Sequence, residues 1–165
     1  DKGYYFNSNW KDIHIGIYDT KLGDSLKYIT NEYIENMERV KYDYRELKNI
    51  ENQTDGMCIL AIRQNYKALE YVKNQTEELC LEAIKYNYKA LEYVKEQTEE
   101  ICIEAVRNSE FGLARVKNQT EKICLEAVKQ NYRALEFVDN QTEKVCLEAV
   151  KQNRKALQYV KQKQS

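Results

Sequence analysis

One histidine, His14, is all the imidazole this chain has, and its five glycines never gather into a loop that could cradle a phosphate. With no Cys-x-x-Cys pair either, the clustered ligands of a structural zinc site are missing. No run approaches the roughly 20 consecutive apolar residues needed to span a bilayer, and the opening stretch DKGYYFNSNW has no apolar core of a signal peptide. Charge of one sign is also lacking: 26 basic residues stand against 27 acidic ones. That balance excludes the broad electrostatic footprint by which nucleic acid or an anionic membrane is bound. The expectation is a soluble, intracellular protein that is not secreted and has no nucleic-acid or membrane partner. The chain opens on Asp1 rather than Met, so this expectation covers only the residues given and leaves room for a removed leading segment.

What is present is repetition. Cys58, Cys80, Cys102, Cys124 and Cys146 fall 22 residues apart, and no cysteine lies elsewhere. From Asn52 to Lys161 each copy reads Asn-Gln-Thr-Glu or a close variant, then apolar-Cys-apolar-Glu-Ala-apolar-basic, a polar Asn turn, and a short Ala-Leu-x-aromatic-Val. Self-similarity at such a period marks a solenoid.

Within one copy, Leu79, Cys80, Leu81, Ala83 and Ile84 recur at helical offsets behind Thr76, a natural N-cap, and Glu77 and Glu78 sit where the helix dipole favours acids. Asn87 comes next, where a chain leaving a helix often takes a left-handed residue. A second helix then carries Ala90, Leu91 and Val94 on one side. Helices this short are marginal alone, so packing between units must hold them. The apolar arc of the first helix is wide enough to be pressed by units on both sides. These features predict an all-α fold: an α-solenoid of 22-residue helix-turn-helix (αα-hairpin) repeats with an atypical N-terminal cap.

Five tandem repeats occupy residues 52–161. Degenerate repeats precede them over 25–51, where Val40, Asp43, Tyr44, Leu47 and Ile50 stand in the places of Ile62, Asn65, Tyr66, Leu69 and Val72. Residues 1–24, with Trp10 and His14, read as the cap or as the remnant of an upstream domain, and 162–165 as a C-terminal tail.

Successive cysteines are a full unit apart, too far for a disulfide, which needs Cα atoms within about 7 Å. The five thiols are expected free, as small buried hydrophobes of the repeat core, and free thiols favour a reducing compartment. Asn-Gln-Thr matches a glycosylation acceptor at Asn52, Asn74, Asn118 and Asn140, yet the turn and the cap already explain those residues. Glu82 with Lys85 and Glu104 with Arg107 form i,i+3 pairs on the exposed side. The carboxylates converge with no nucleophile, so neither catalysis nor a cofactor or metal is expected.

Two aromatic rows remain. Tyr66, Tyr88 and Tyr132 share one position, and Tyr71, Tyr93, Phe137 and Tyr159 another. They read either as half-buried flanks or, with Lys67, Lys89 and Arg133, as a ridge offered to a partner. The third cysteine unit breaks the pattern with Glu110-Phe111-Gly112-Leu113-Ala114-Arg115. Its Gly for Ala costs about 1 kcal/mol of helix propensity. Either this is a local irregularity, or Phe111 and Arg115 form a partner-specific spot.

The strings QTEEICIEAV, CLEAVKQNYRALEFV and CLEAVKQNRKALQYV, in tandem over residues 52–161, resemble a repeat family of unknown function, domain of unknown function 4116, typical of mimivirus-type giant viruses and found in some bacteria. A Pro often follows the Thr in that family; here Glu77, Glu99, Glu121 and Glu143 take its place. The resemblance implies tandem helical repeats and a giant-virus source, and supplies no catalytic residues. The expected function is a non-enzymatic protein-protein interaction module acting in the infected cell or virion. Two alternatives stand beside it: a scaffold or coat component that self-associates, and an effector that regulates one host enzyme.

Overall fold

The computed structural model describes the backbone of residues 20–161 and the side chains of residues 31–161. The cap reading of residues 1–24 falls outside these but for the start of the first helix, and the tail 162–165 falls outside altogether. The chain divides into two units, Asp1–Glu35 and Asn36–Ser165. Helix α1 (Thr20–Tyr42) carries residues of both. After it come α2 (Asp55–Gln64), α3 (Glu77–Tyr86), α4 (Glu99–Asn108), α5 (Glu121–Gln130) and α6 (Glu143–Gln152), each followed by a 3-10 helix. Among the described residues there is no strand, and the unit from Asn36 onward is an α-solenoid.

Each α-helix of the repeats starts at its Thr. The Thr98 hydroxyl accepts the Ile101 N–H at 3.4 Å, and Thr54, Thr76, Thr120 and Thr142 do the same in their units. This satisfies one of the orphan donors of the first turn. The Cys N–H closes the first main-chain bond to the Thr carbonyl, 3.0 Å at Cys102.

The junction differs from the sequence expectation. Asn87 is not left-handed: it is extended, at φ −161° and ψ 121°, and no residue among those described has positive φ. Its N–H ends one helix by bonding the Ala83 carbonyl, while its side-chain oxygen caps the next by accepting the Lys89 N–H at 3.0 Å. One residue thus serves as C-cap and N-cap, and an extended backbone is what an N-cap needs. Asp43 does the same before the 3-10 helix Tyr44–Asn49. The second helix of each unit is 3-10 rather than α. Six residues such as Tyr88–Tyr93 are too few for a stable ladder of i to i−4 bonds, and i to i−3 bonds tighten them instead, as from Ala90 N to Asn87 O at 2.9 Å.

Units stack through α-helix on α-helix and 3-10 helix on 3-10 helix. The core is one continuous strip in which Val40, Leu47, Ile62, Leu69, Ile84, Leu91, Val106, Leu113, Val128 and Leu135 are buried. Burying such side chains contributes about 1.5–3 kcal/mol each, which the short helices cannot supply alone.

Candidate interaction surface

The residue that ties unit to unit is Gln, to which sequence reasoning assigned no role. The Gln97 amide nitrogen donates to the Leu91 carbonyl at 3.0 Å and to the Arg115 carbonyl at 3.2 Å. Its oxygen accepts the Lys117 N–H at 2.9 Å. Gln97 therefore bridges two consecutive 3-10 helices. Gln53, Gln75, Gln119 and Gln141 repeat the pattern with bonds of 2.8–3.3 Å. Each amide reaches six residues back, eighteen ahead and twenty ahead, so the contact is invisible to any local reading. A usable signal was present all the same. Asn had the turn in four units and Thr the cap in all five, whereas Gln recurred in all five with neither.

The cysteines pack beside these amides, with Sγ 3.7–4.0 Å from the Gln oxygen five residues earlier. Cys58, Cys80, Cys102 and Cys124 are buried and free, and burial pushes the Cys58 and Cys80 thiols up to about 11. Cys146 departs from the expected buried ladder. It is half-exposed, because α6 has no later helix packed on it among the described residues.

In the cysteine units the ion pairs also run between units rather than along one helix, correcting the i,i+3 expectation. Glu82 accepts from Arg63 of the preceding unit at 2.9 Å, and Arg107 pairs with Glu126 of the next at 2.8 Å. Stacking brings the basic residue near the end of one helix beside the Glu of its neighbour, where an extended guanidinium reaches it directly. Glu77, Glu99 and Glu121, each following a capping Thr, reach forward in the same way. Glu121 accepts from the Thr142 hydroxyl at 3.0 Å and pairs with Lys144 at 3.1 Å. The hydrogen bond from Lys144 holds the Glu121 carboxyl below its usual range, and Lys122 does so for Glu99. Exposed pairs of this kind add little stability. They fix which neighbour sits where.

Both aromatic rows prove to be one ladder. Tyr66 packs on Tyr93 at 6.1 Å between ring centroids, Tyr132 on Tyr159 at 6.3 Å, and Tyr44 on Tyr71 at 6.3 Å. Each rung joins a tyrosine of one unit to the second aromatic position of the next. Tyr66, Tyr88 and Tyr132 are half-buried, while Lys67, Lys89 and Arg133 are exposed alongside.

The third cysteine unit alters this ladder at two rungs. Arg115 takes the second aromatic place, with its guanidinium 5.6 Å above the Tyr88 ring, and it also pairs with Glu92. Phe111, one residue out of register, meets Phe137 edge-on at 5.6 Å and keeps 48% of its surface exposed. Two sequence candidates, Tyr88 and Arg115, are thereby brought together, and Phe111 is set apart from them on another rung. Gly112 is no mere loss of helix propensity. A Cβ there would stand 2.3 Å from the Ala105 carbonyl oxygen. Counterparts of that carbonyl accept the N–H of the junction Asn, as Ala83 does from Asn87 at 3.0 Å. Here the chain crosses it closely, and only glycine fits.

Among the described residues no group of three or more His, Cys, Asp or Glu side chains is placed to hold a metal ion, and no helix is long and apolar enough to cross a membrane. A family model described as Domain of unknown function (DUF4116) matches residues 120–163, from the Thr cap of α5 through the last unit. No curated protein and no solved structure matches the chain.

Proposed function

We propose that this chain is a non-enzymatic module that binds another protein through the edge of its stack, with the third cysteine unit as the point of recognition. The observation that carries the reading is Phe111. Every other aromatic of the ladder is half-buried against its rung, whereas Phe111 leaves nearly half its surface open. Aromatic residues, Phe among them, are enriched at protein interfaces over the rest of the surface. In the regular units the aromatic rungs and the Asn caps recur; in this unit Arg115 and Ser109 stand in their places, with Phe111 beside them in sequence. In keeping with the family resemblance, the setting is a giant-virus protein at work in the infected cell or virion.

A photoreactive phenylalanine analogue at position 111 tests this in host-cell extract. The expected result is one dominant cross-linked protein, lost when Arg115 is changed to Ala in the same chain. The same bands from an analogue placed at Tyr42, which is also exposed, would contradict the assignment.

A further inference from the structure

The near-equal totals of 26 basic and 27 acidic residues conceal a separation. Every unit runs out along its α-helix and back along its 3-10 helix, so the junctions between the two gather on one edge of the stack and the linkers between units on the other. Glu110 accepts from Asn131 of the next junction, and Glu77 accepts from the Thr98 hydroxyl of the next linker at 2.7 Å. The four junctions 63–67, 85–89, 107–111 and 129–133 hold seven basic residues and one acid, Glu110. The four linkers 73–78, 95–100, 117–122 and 139–144 hold five basic residues and eight acids. The junction edge is therefore cationic. At its helix ends Arg63 and Arg107 are paired with the following unit. Lys85 and Lys129 in the same place, and Lys67, Lys89 and Arg133 at the start of the 3-10 helices, are exposed and have no ion-pair partner among the described residues. Phe111 belongs to this row. Its N–H is capped by the Ser109 hydroxyl at 3.2 Å as that of Lys89 is by Asn87 at 3.0 Å, so it stands where the neighbouring units place a cation.

We infer that this edge binds an extended acidic segment of a partner protein, laid across the stacked junctions with its carboxylates on the row of Lys67, Lys89 and Arg133 and a neutral, apolar residue against Phe111. The inference rests on the reading of Phe111 as the point of recognition and adds the chemistry of the partner. Helices packed side by side stand about 8–10 Å apart, and an extended chain advances about 10 Å over three residues. A carboxylate at every third residue therefore meets one junction cation per unit. The acids of the edge favour a peptide over a nucleic acid strand. Glu110 sits in the middle of the row, and Glu70 and Glu136 are exposed one 3-10 turn beyond Lys67 and Arg133. A nucleic acid carries a charge at every phosphate and would press it on these carboxylates. A peptide leaves neutral residues opposite them, which makes the same acids a device for excluding the wrong partner.

Fluorescence anisotropy with the full 165-residue chain tests this. The probe is a labelled Gly-Ser peptide of about thirteen residues with Glu at every third position and Leu replacing the central Glu. The expected result at low ionic strength is a Kd below about 100 micromolar, weakening at least about threefold at physiological salt. A peptide with Ser at every Glu position should not bind. Lys85→Glu with Lys89→Glu should weaken binding at least about tenfold, whereas Lys73→Glu with Lys122→Glu, the same change of net charge on the opposite edge, should stay within about threefold of the parent. Helical signal and melting temperature of both double variants should stay near those of the parent, since all four side chains are exposed. Phe111→Ala should weaken the Leu peptide at least about threefold and leave a version with central Ser unchanged. If Phe111→Ala affects neither peptide while the Lys85 and Lys89 changes abolish binding, the Phe111 reading fails and the acidic-partner inference stands. Absence of peptide binding, equal losses from the two double variants, or an oligouridylate of about ten nucleotides binding more tightly than the peptide would each overturn the inference.

Discussion

Replacing Gln97 tests the bridge at the centre of the stack. The side chain satisfies three main-chain groups that belong to two units: the carbonyls of Leu91 and Arg115 and the N–H of Lys117. Gln97→Ala leaves all three without a partner. A buried main-chain group so deprived costs about 1–3 kcal/mol. Water reaches this half-buried site, so the lower end applies to each, and the total is about 3 kcal/mol. For a domain of this size that corresponds to a melting temperature lower by about 6–12 °C. Gln97→Glu sharpens the test, because the replacement keeps the shape and changes only the donor. At neutral pH its carboxylate would press an anionic oxygen against two carbonyls, making the variant less stable than Gln97→Ala. Those carbonyls disfavour the charged form, so the folded pKa of the new acid is raised above the unfolded value. Stability is then retained below the unfolded value, about 4.3, and falls as pH rises through the folded one. Urea unfolding followed by circular dichroism at several pH values reads all of this. A loss under about 0.5 kcal/mol for Gln97→Ala, or equal stability of the Ala and Glu variants at neutral pH, would refute the bridging role.

Gly112→Ala separates close approach from propensity by its sign: overpacking against the Ala105 carbonyl should destabilise by about 2–3 kcal/mol, where helix propensity alone would give a gain of about 1 kcal/mol. A polar thiol reagent in native buffer should label Cys146 first and the four buried cysteines only as fast as the array opens; equal rates at Cys102 and Cys146 would contradict the stacking of α6. Burial raises the Cys58 and Cys80 thiols from 9.0 to about 11, so their contribution to stability is whole below the unfolded value and is lost as pH climbs through that window. A Cys58→Ala, Cys80→Ala double variant should therefore lose less stability than the parent between about pH 8 and about pH 10.5 in parallel denaturant titrations.

Sequence reading went furthest where a residue acts on its own segment. Thr as cap, the apolar strip and the 22-residue period are local or periodic, and the structure places each where the spacing said. It fell short where two competing local geometries satisfy the same residue. Asn87 suits a left-handed exit or an extended cap equally well by type, and only the 3-10 helix after it decides. Contacts between units were harder still. Glu82 has Lys85 within reach along its own helix, yet the stack offers Arg63. The aromatic rows read as two because their pairing distance crosses a unit boundary. Of the eight candidate surface residues, Phe111 and Arg115 stood out by breaking the pattern. The reason for the break, the crossing of Gly112 over Ala105, lies in the backbone and is not written in any side chain.

The central claim is that stability resides between neighbouring units joined in one register, and excising one period tests it most directly. Deleting residues 118–139 joins Lys117 to Asn140 and leaves Gln141 six residues beyond Leu113, the spacing every bridge requires. Circular dichroism should show the shorter chain still helical and unfolding cooperatively at a lower temperature, as nearest-neighbour stacking demands. Deleting only residues 118–128, half a period, should abolish the fold. Loss of helical structure on removing the full period, or equal tolerance of the half period, would contradict the account.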